Sequence, residues 1–311
     1  MGFLALFVVA RHCHSHTADA PAASLQSAVT SDGFLIAHGA ACSWRVATID
    51  THGNRTDDIA LDRSGDVRVV GTTAGAAAAW QDGKRIKLAS VGTGKELGSW
   101  GKAVQHLCDG VASNDARFAV GWLEADQTVW IVHGPTSRQA LAAAVAPKTD
   151  WCGVASAEDN VAMLWRENDR LLLTMCNEKG CSSLVAGFGL ERKLPVIGFG
   201  CVEDSCLVAA RDAAGAARLA LVTTRAKTQW TKPLERAKSA ISIVGVGNRS
   251  FAAAYATRDG AEVVRVARDG TMTSVWRGAV ATAPVVSWSS GRLLVAYMRD
   301  HELLHDVIPL D

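Results

Sequence analysis

Two stretches of this chain read almost alike: GVASNDARFAVGWLEAD, Gly110 to Asp126, and GVASAEDNVAMLWREND, Gly153 to Asp169. Their tryptophans, Trp122 and Trp165, stand 43 residues apart. The same stride backwards finds AAAAWQD with Trp80 and FLIAHGA with His38. Forwards it finds LVAARDA with Ala210, FAAAYAT with Tyr255 and LLVAYMR with Tyr297. The marked positions are therefore separated by 42, 42, 43, 45, 45 and 42 residues. The residue before each is Ala37, Ala79, Gly121, Leu164, Ala209, Ala254 and Ala296, six of the seven being Ala or Gly. A small residue followed by a larger one, recurring at one period along the chain, is the signature of a repeat architecture.

Within one period the pattern is four short strands. In the fourth unit WCGVAS, NVAMLWRE, RLLLTMC and SSLVAGF are apolar runs divided by Asn, Asp and Gly. Such runs read as strands joined by hairpins. Turns such as QDGK, RDGAE and RDGT punctuate the other units in the same way. A four-stranded unit of this length is a propeller blade. The expectation is an all-β fold, one seven-bladed β-propeller over residues 25–311. Blades taper towards the axis, which gives the small residues their reason. The Trp and Tyr side chains are expected to pack between neighbouring blades.

The units GWLE, LWRE and AWQD resemble the repeats of secreted bacterial β-propeller proteins, whose second strand often ends apolar-apolar-Trp-x-Asp/Glu. The first, fifth and sixth units depart from that pattern, with His38, Ala210 and Tyr255 in place of Trp. The resemblance implies the fold and a location outside the cytoplasm. It implies no single activity, since propellers host many.

Composition narrows the partners. The 32 basic and 31 acidic residues leave a net charge of +1 with no like-charge block. That argues against nucleic acid and anionic membrane surfaces as main partners. No apolar run reaches the roughly 18 residues that span a bilayer. GFLALFVVA near the N-terminus has the length of a signal-peptide core, and Ala18 to Ala20 offers a small-residue cleavage site. Residues 1–24 are thus read as a leader, and the protein as periplasmic or extracellular. A competing role exists for the same segment. Blade seven reaches Asp311 with only three strands, and FLALFVV could supply the fourth.

Cysteine spacing agrees with an oxidising compartment. CNEKGC (Cys176, Cys181) and CVEDSC (Cys201, Cys206) each enclose four turn-like residues, as a disulfide at the base of a hairpin does. Both hairpins are expected on one face of the ring, so a zinc site built from all four thiolates is a competing arrangement of the same cysteines. Cys108 and Cys152 open the innermost strands of adjacent blades. Their offsets from the GVAS frame differ by one residue, which points them to opposite faces and speaks against a bond. Cys42 has no evident partner.

HELLH, His301 to His305, matches the H-E-x-x-H zinc-protease signature. That chemistry needs His301 and His305 on one helical face with Glu302 as the base. The repeat frame instead puts a hairpin turn at His301 and Glu302 and a strand after it. On a strand the two histidines stand about 13 Å apart and cannot share a zinc ion at about 2 Å each. HCHSH (His12 to His16) lies in or beside the leader, and GTGKELG (Gly92 to Gly98) lacks the residues of a phosphate loop. No metal or cofactor is expected. Acidic residues recur after the second strands: Asp82, Glu124, Glu167, Asp212 and Asp300. Solvated turns explain most of them, and a pair could act as acid and base for glycoside cleavage. The leading expectation is a monomeric, non-catalytic binding or scaffold propeller facing a protein or glycan. A carbohydrate-active hydrolase or lyase is second, and a zinc metalloprotease third.

Overall fold

The computed structural model describes residues 24–310, apart from 41–42, 62–65, 73–74, 111, 115–116, 135–139, 146–148, 150, 158–159, 168–169, 178, 183–184, 187–195, 213, 224–226, 248, 280–281 and 301. Seven separate antiparallel sheets follow one another along the chain, each a meander of neighbouring strands. They span 24–61, 67–100, 104–145, 152–186, 196–233, 241–278 and 285–309. Closed into a ring they form a seven-bladed β-propeller. Six blades are four-stranded, with one split strand in each of blades three and four counted once. In blade four the outermost strand is split into Gly180–Cys181 and Val185–Ala186, both paired with Arg170–Asn177. Blade seven has three strands among the described residues. The apolar run 3–9, offered above as leader or closing strand, lies outside them.

The small-large signature has a clear physical origin. Successive side chains on a strand point to opposite faces of the sheet. In blade three, Trp122 therefore faces backwards and Gly121 forwards. Trp122 packs with Val70, Ile86, Leu88 and Trp100 of blade two. A Cβ on Gly121 would stand 2.8 Å from Val154 and 3.0 Å from Met163 of blade four. Trp165 and Tyr255 likewise join the cores they share with the preceding blade. Ala209 and Ala254 join cores of their own blade junctions. The apolar core is thus seven cores, one at each junction between blades. The junction that closes the ring sets Phe34, Ile36 and Ile49 of blade one against Leu294 and Ala296 of blade seven.

Towards the axis the blades converge until backbone meets backbone. A Cβ on Gly198 would lie 2.3 Å from the carbonyl oxygen of Ile241, and one on Gly245 2.4 Å from that of Cys201. Only hydrogen fits at these positions. Side-chain bonds add to the contact where space allows. The Val286 N–H donates to Ser242 Oγ at 3.1 Å, and Ser287 Oγ lies 2.8 Å from Ser27 Oγ across the closing junction.

Candidate functional site

The innermost strands surround a central cavity of about 1280 Å3. Its wall comes mainly from blades one, four, five, six and seven. Serine hydroxyls, among them Ser27, Ser156, Ser242 and Ser287, punctuate that wall. Its ionisable lining residues are Asp66, Arg68, Asp109 and Glu203. Asp66, Arg68 and Asp109 cluster where the innermost strands begin, together with Trp151. Glu203 lies at the opposite mouth, in the turn between Val196–Val202 and Ser205–Arg211.

The first mouth is built by an irregularity in blade three. Its innermost strand is broken into Val104–Leu107 and Ala112–Asn114, both paired with Arg117–Glu124. Leu107 pairs with Trp122 and Ala112 with Ala119, so four residues on one strand oppose two on the other. The surplus bulges towards blade four. There the Asp109 N–H donates to the Cys152 carbonyl at 2.8 Å, and the Val154 N–H donates to the Asp109 carbonyl at 2.8 Å. Asp109 and Gly153 thereby form a parallel bridge between blades. Gly110 then turns the chain at φ 72°, where a Cβ would meet the Val154 carbonyl at 2.6 Å. The left-handed conformation and the lack of room both require glycine.

The expectation against a bond between Cys108 and Cys152 is overturned: they are joined by a disulfide with their Cα atoms 4.7 Å apart. Cys108 lies beside Gly121 on the face of blade three that looks towards blade four, and Cys152, opposite Trp165, lies on the face of blade four that looks back, so the opposite faces are the two that meet across the junction. The two hairpin pairs are bonded as well, Cys176 to Cys181 and Cys201 to Cys206. The two hairpins are neighbours, and a surface groove between them is lined by Lys179, Cys181, Glu203 and Asp204. The four sulfurs are committed to these bonds and do not form the alternative zinc-binding set. Cys13 and Cys42 lie outside the described residues.

Asp109 is held from both sides. Arg68 is buried, and its guanidinium donates to the Cys108 carbonyl at 3.0 Å and to Asp109 Oδ1 at 3.1 Å. Trp151 Nε1 donates to Asp109 Oδ2 at 2.6 Å. The Asp109 side chain itself remains 63% exposed. A carboxylate offers about four lone-pair directions, and two are taken, so acceptor capacity is left over beside the cavity. Trp151 has its own seat. A Cβ on Gly153 would lie 2.8 Å from the indole Cη2, so the glycine lets the ring lie against the strand. Three adjacent blades thus supply one cluster: Arg68, Asp109 and Trp151.

The residues singled out in the sequence fall elsewhere. Glu124 is buried, contrary to a solvated turn, and accepts from Trp122 Nε1 at 3.3 Å and from the Lys102 N–H at 2.9 Å. Asp212 accepts from the turn amides of Ala214 and Ala216 and from Arg218. Asp82 pairs with Lys87 at 2.7 Å. None of these lines the cavity. The Glu167 side chain lies outside the described residues. Glu302 and His305 belong to the strand Glu302–Pro309, three residues apart and hence on opposite faces. His305 Nε2 stands 3.0 Å from the Gly53 carbonyl of blade one. His301 lies outside the described residues. Among the described residues no three His, Cys, Asp or Glu side chains are placed to hold a metal ion.

No protein-family model and no curated protein matches the chain. Three similar solved structures are distant in sequence. The BP39L lectin from Burkholderia pseudomallei aligns over 92% of this chain and 96% of its own, with TM-score 0.63 and 14% identity. BBS1N, solved in complex with ARL6DN, aligns over 90% and 89%, with TM-score 0.60 and 11% identity. Hsv2 from Kluyveromyces lactis aligns over 92% and 98%, with TM-score 0.53 and 11% identity. At such identities the likeness is one of fold.

Proposed function

We propose that this protein is a non-catalytic binding propeller that takes its ligand at the mouth formed by Arg68, Asp109 and Trp151. The observation that carries this reading is the exposed Asp109 carboxylate, clamped by a buried arginine and an indole N–H beside a hydroxyl-lined cavity. A side chain held this rigidly is preorganised for recognition. Its neighbours are donors on both oxygens, which suits an acceptor. Glycoside cleavage would ask instead for a carboxyl group kept protonated as the acid. The zinc-protease alternative has lost its helix, because HELLH runs into a strand. The three disulfides among the described residues favour an oxidising compartment, and an exported protein with residues 1–24 as leader is the matching proposal. The lectin and the ARL6DN-bound propeller among the structural neighbours are compatible with a binding role.

A photo-cross-linking residue at Asp66, beside this mouth, and another at Ser290, at the opposite one, test the reading in the native host. Adducts from position 66 and none from 290 are expected. Adducts from 290 alone would move the site to the other face.

A further inference from the structure

We infer that the ligand taken at this mouth is a neutral saccharide, with one pyranose ring stacked on Trp151 and its hydroxyls donating to Asp109. The inference rests on the reading of the mouth as the ligand site. Three features select this chemistry.

The first is the geometry of the pair. An indole N–H lies in the plane of its ring. The 2.6 Å bond from Trp151 Nε1 therefore places Asp109 Oδ2 at the rim of the aromatic surface. The benzo end of the ring rests on Gly153, and the indole lines the cavity. A pyranose has the matching form, an apolar face of C–H groups bordered by hydroxyls. Laid on the ring, it would present those hydroxyls to an acceptor at the edge. Aromatic surface with a few placed polar groups is the usual make-up of a small-ligand site.

The second feature is charge. Arg68 already compensates Asp109 at 3.1 Å. An incoming cation gains less from a carboxylate already paired than from a bare one, so cationic peptide side chains have no special advantage. A neutral hydroxyl donor loses nothing by the pairing. Asp66 and Glu203 leave the rest of the cavity's ionisable lining acidic. Uronic and other anionic sugars are disfavoured on that account.

The third is room. The cavity of about 1280 Å3 exceeds the roughly 300–1,000 Å3 of common small-molecule pockets. The Ser27 and Ser287 hydroxyls deeper along the wall extend the polar lining beyond a first sugar ring. An oligosaccharide therefore fits better than a monosaccharide.

The test uses the purified full chain on an array of immobilised neutral, amino and uronic oligosaccharides, followed by calorimetric titration of the best binder. Trp151→Ala and Asp109→Asn are each expected to weaken binding by about tenfold or more, a loss of about 1.4 kcal/mol. Ser290→Ala at the far mouth should stay within about twofold. Trp151→Phe keeps a stacking surface but not the N–H. It should fall between wild type and alanine, which keeps the test sound if the alanine variant folds poorly. Absence of any neutral binder, or binding of amino or uronic sugars alone, overturns the saccharide inference and leaves the mouth reading to the cross-links at Asp66. A saccharide that binds wild type, Trp151→Ala and Asp109→Asn equally overturns both, since the sugar then sits elsewhere.

Discussion

Gly153 shows how much rests on one missing methyl group. It is a strand residue in a buried sheet, and the GVAS repeat it shares with Gly110 does not announce its role. Its role is to leave space for the indole of Trp151. Gly153→Ala should displace that ring while the blade still folds. Binding at the mouth is expected to drop by roughly tenfold, with the far-ultraviolet circular dichroism unchanged. Loss of the β signal together with binding would show Gly153 to be a folding residue instead. His38 has the opposite character, since its position in the repeat is legible and its behaviour is not. Its Nε2 is buried without a hydrogen-bond partner among the described residues. Burial pulls its pKa below 6.5, Arg55 and Arg45 assist, and Asp58 opposes. The unfolded chain then binds a proton near pH 6.5 that the folded chain refuses. Stability from this residue is intact above pH 6.5 and declines as pH falls below it. Urea unfolding at pH 7.5 and pH 5.5 should show that decline in wild type. His38→Gln should flatten it, and an equal slope in the variant would assign the effect elsewhere.

At the scale of elements, the regular strands were legible and the broken one was not. Alternation and hairpin turns locate the blade-four strands Cys152–Ala157, Asn160–Glu167 and Arg170–Asn177. They equally locate the two hairpin disulfides. Blade three defeats the same logic, because two extra residues between Leu107 and Ala112 break the alternation along the innermost strand. The position of Asp109 depends on that break, whereas the inter-blade bond between Cys108 and Cys152 follows from the two faces that meet at the junction. A signal was present: Asp109 and Trp151 are 42 residues apart, one blade stride. It becomes meaningful only once the bulge is known. The bond closes a span of 44 residues, against 5 in each hairpin. By loop entropy it should contribute about 4 kcal/mol, and each hairpin bond about 2 kcal/mol. The double variant Cys108→Ser, Cys152→Ser is therefore expected to lose more stability in denaturant titrations than Cys201→Ser, Cys206→Ser. It should also weaken binding at the mouth, because Asp109 shares its backbone bonds with Cys152. Equal losses in both double variants would count against the inter-blade tie.

For the whole molecule, stability is divided among seven equivalent junctions, and no single central core exists among the described residues. Damage at one junction must therefore open the ring. Gly245→Ala tests this, since its methyl group would press into the Cys201 carbonyl between blades five and six. A loss of about 2 kcal/mol is expected from overpacking alone, read as a lower midpoint in denaturant. An unchanged midpoint would mean that the two blades part without cost. The sequence by itself determined the number of blades, their regular strands and the placement of the repeat's Trp and Tyr side chains between blades. These follow from periodicities of two and of about 43 residues, which are local and repeat along the chain. Only the tertiary structure decided which carboxylate faces the central cavity. Arg68, Asp109 and Trp151 come from three blades, and they meet because the ring brings the start of each innermost strand to one mouth. A departure from the repeat put Asp109 there, and a pattern of repeats cannot announce its own exception.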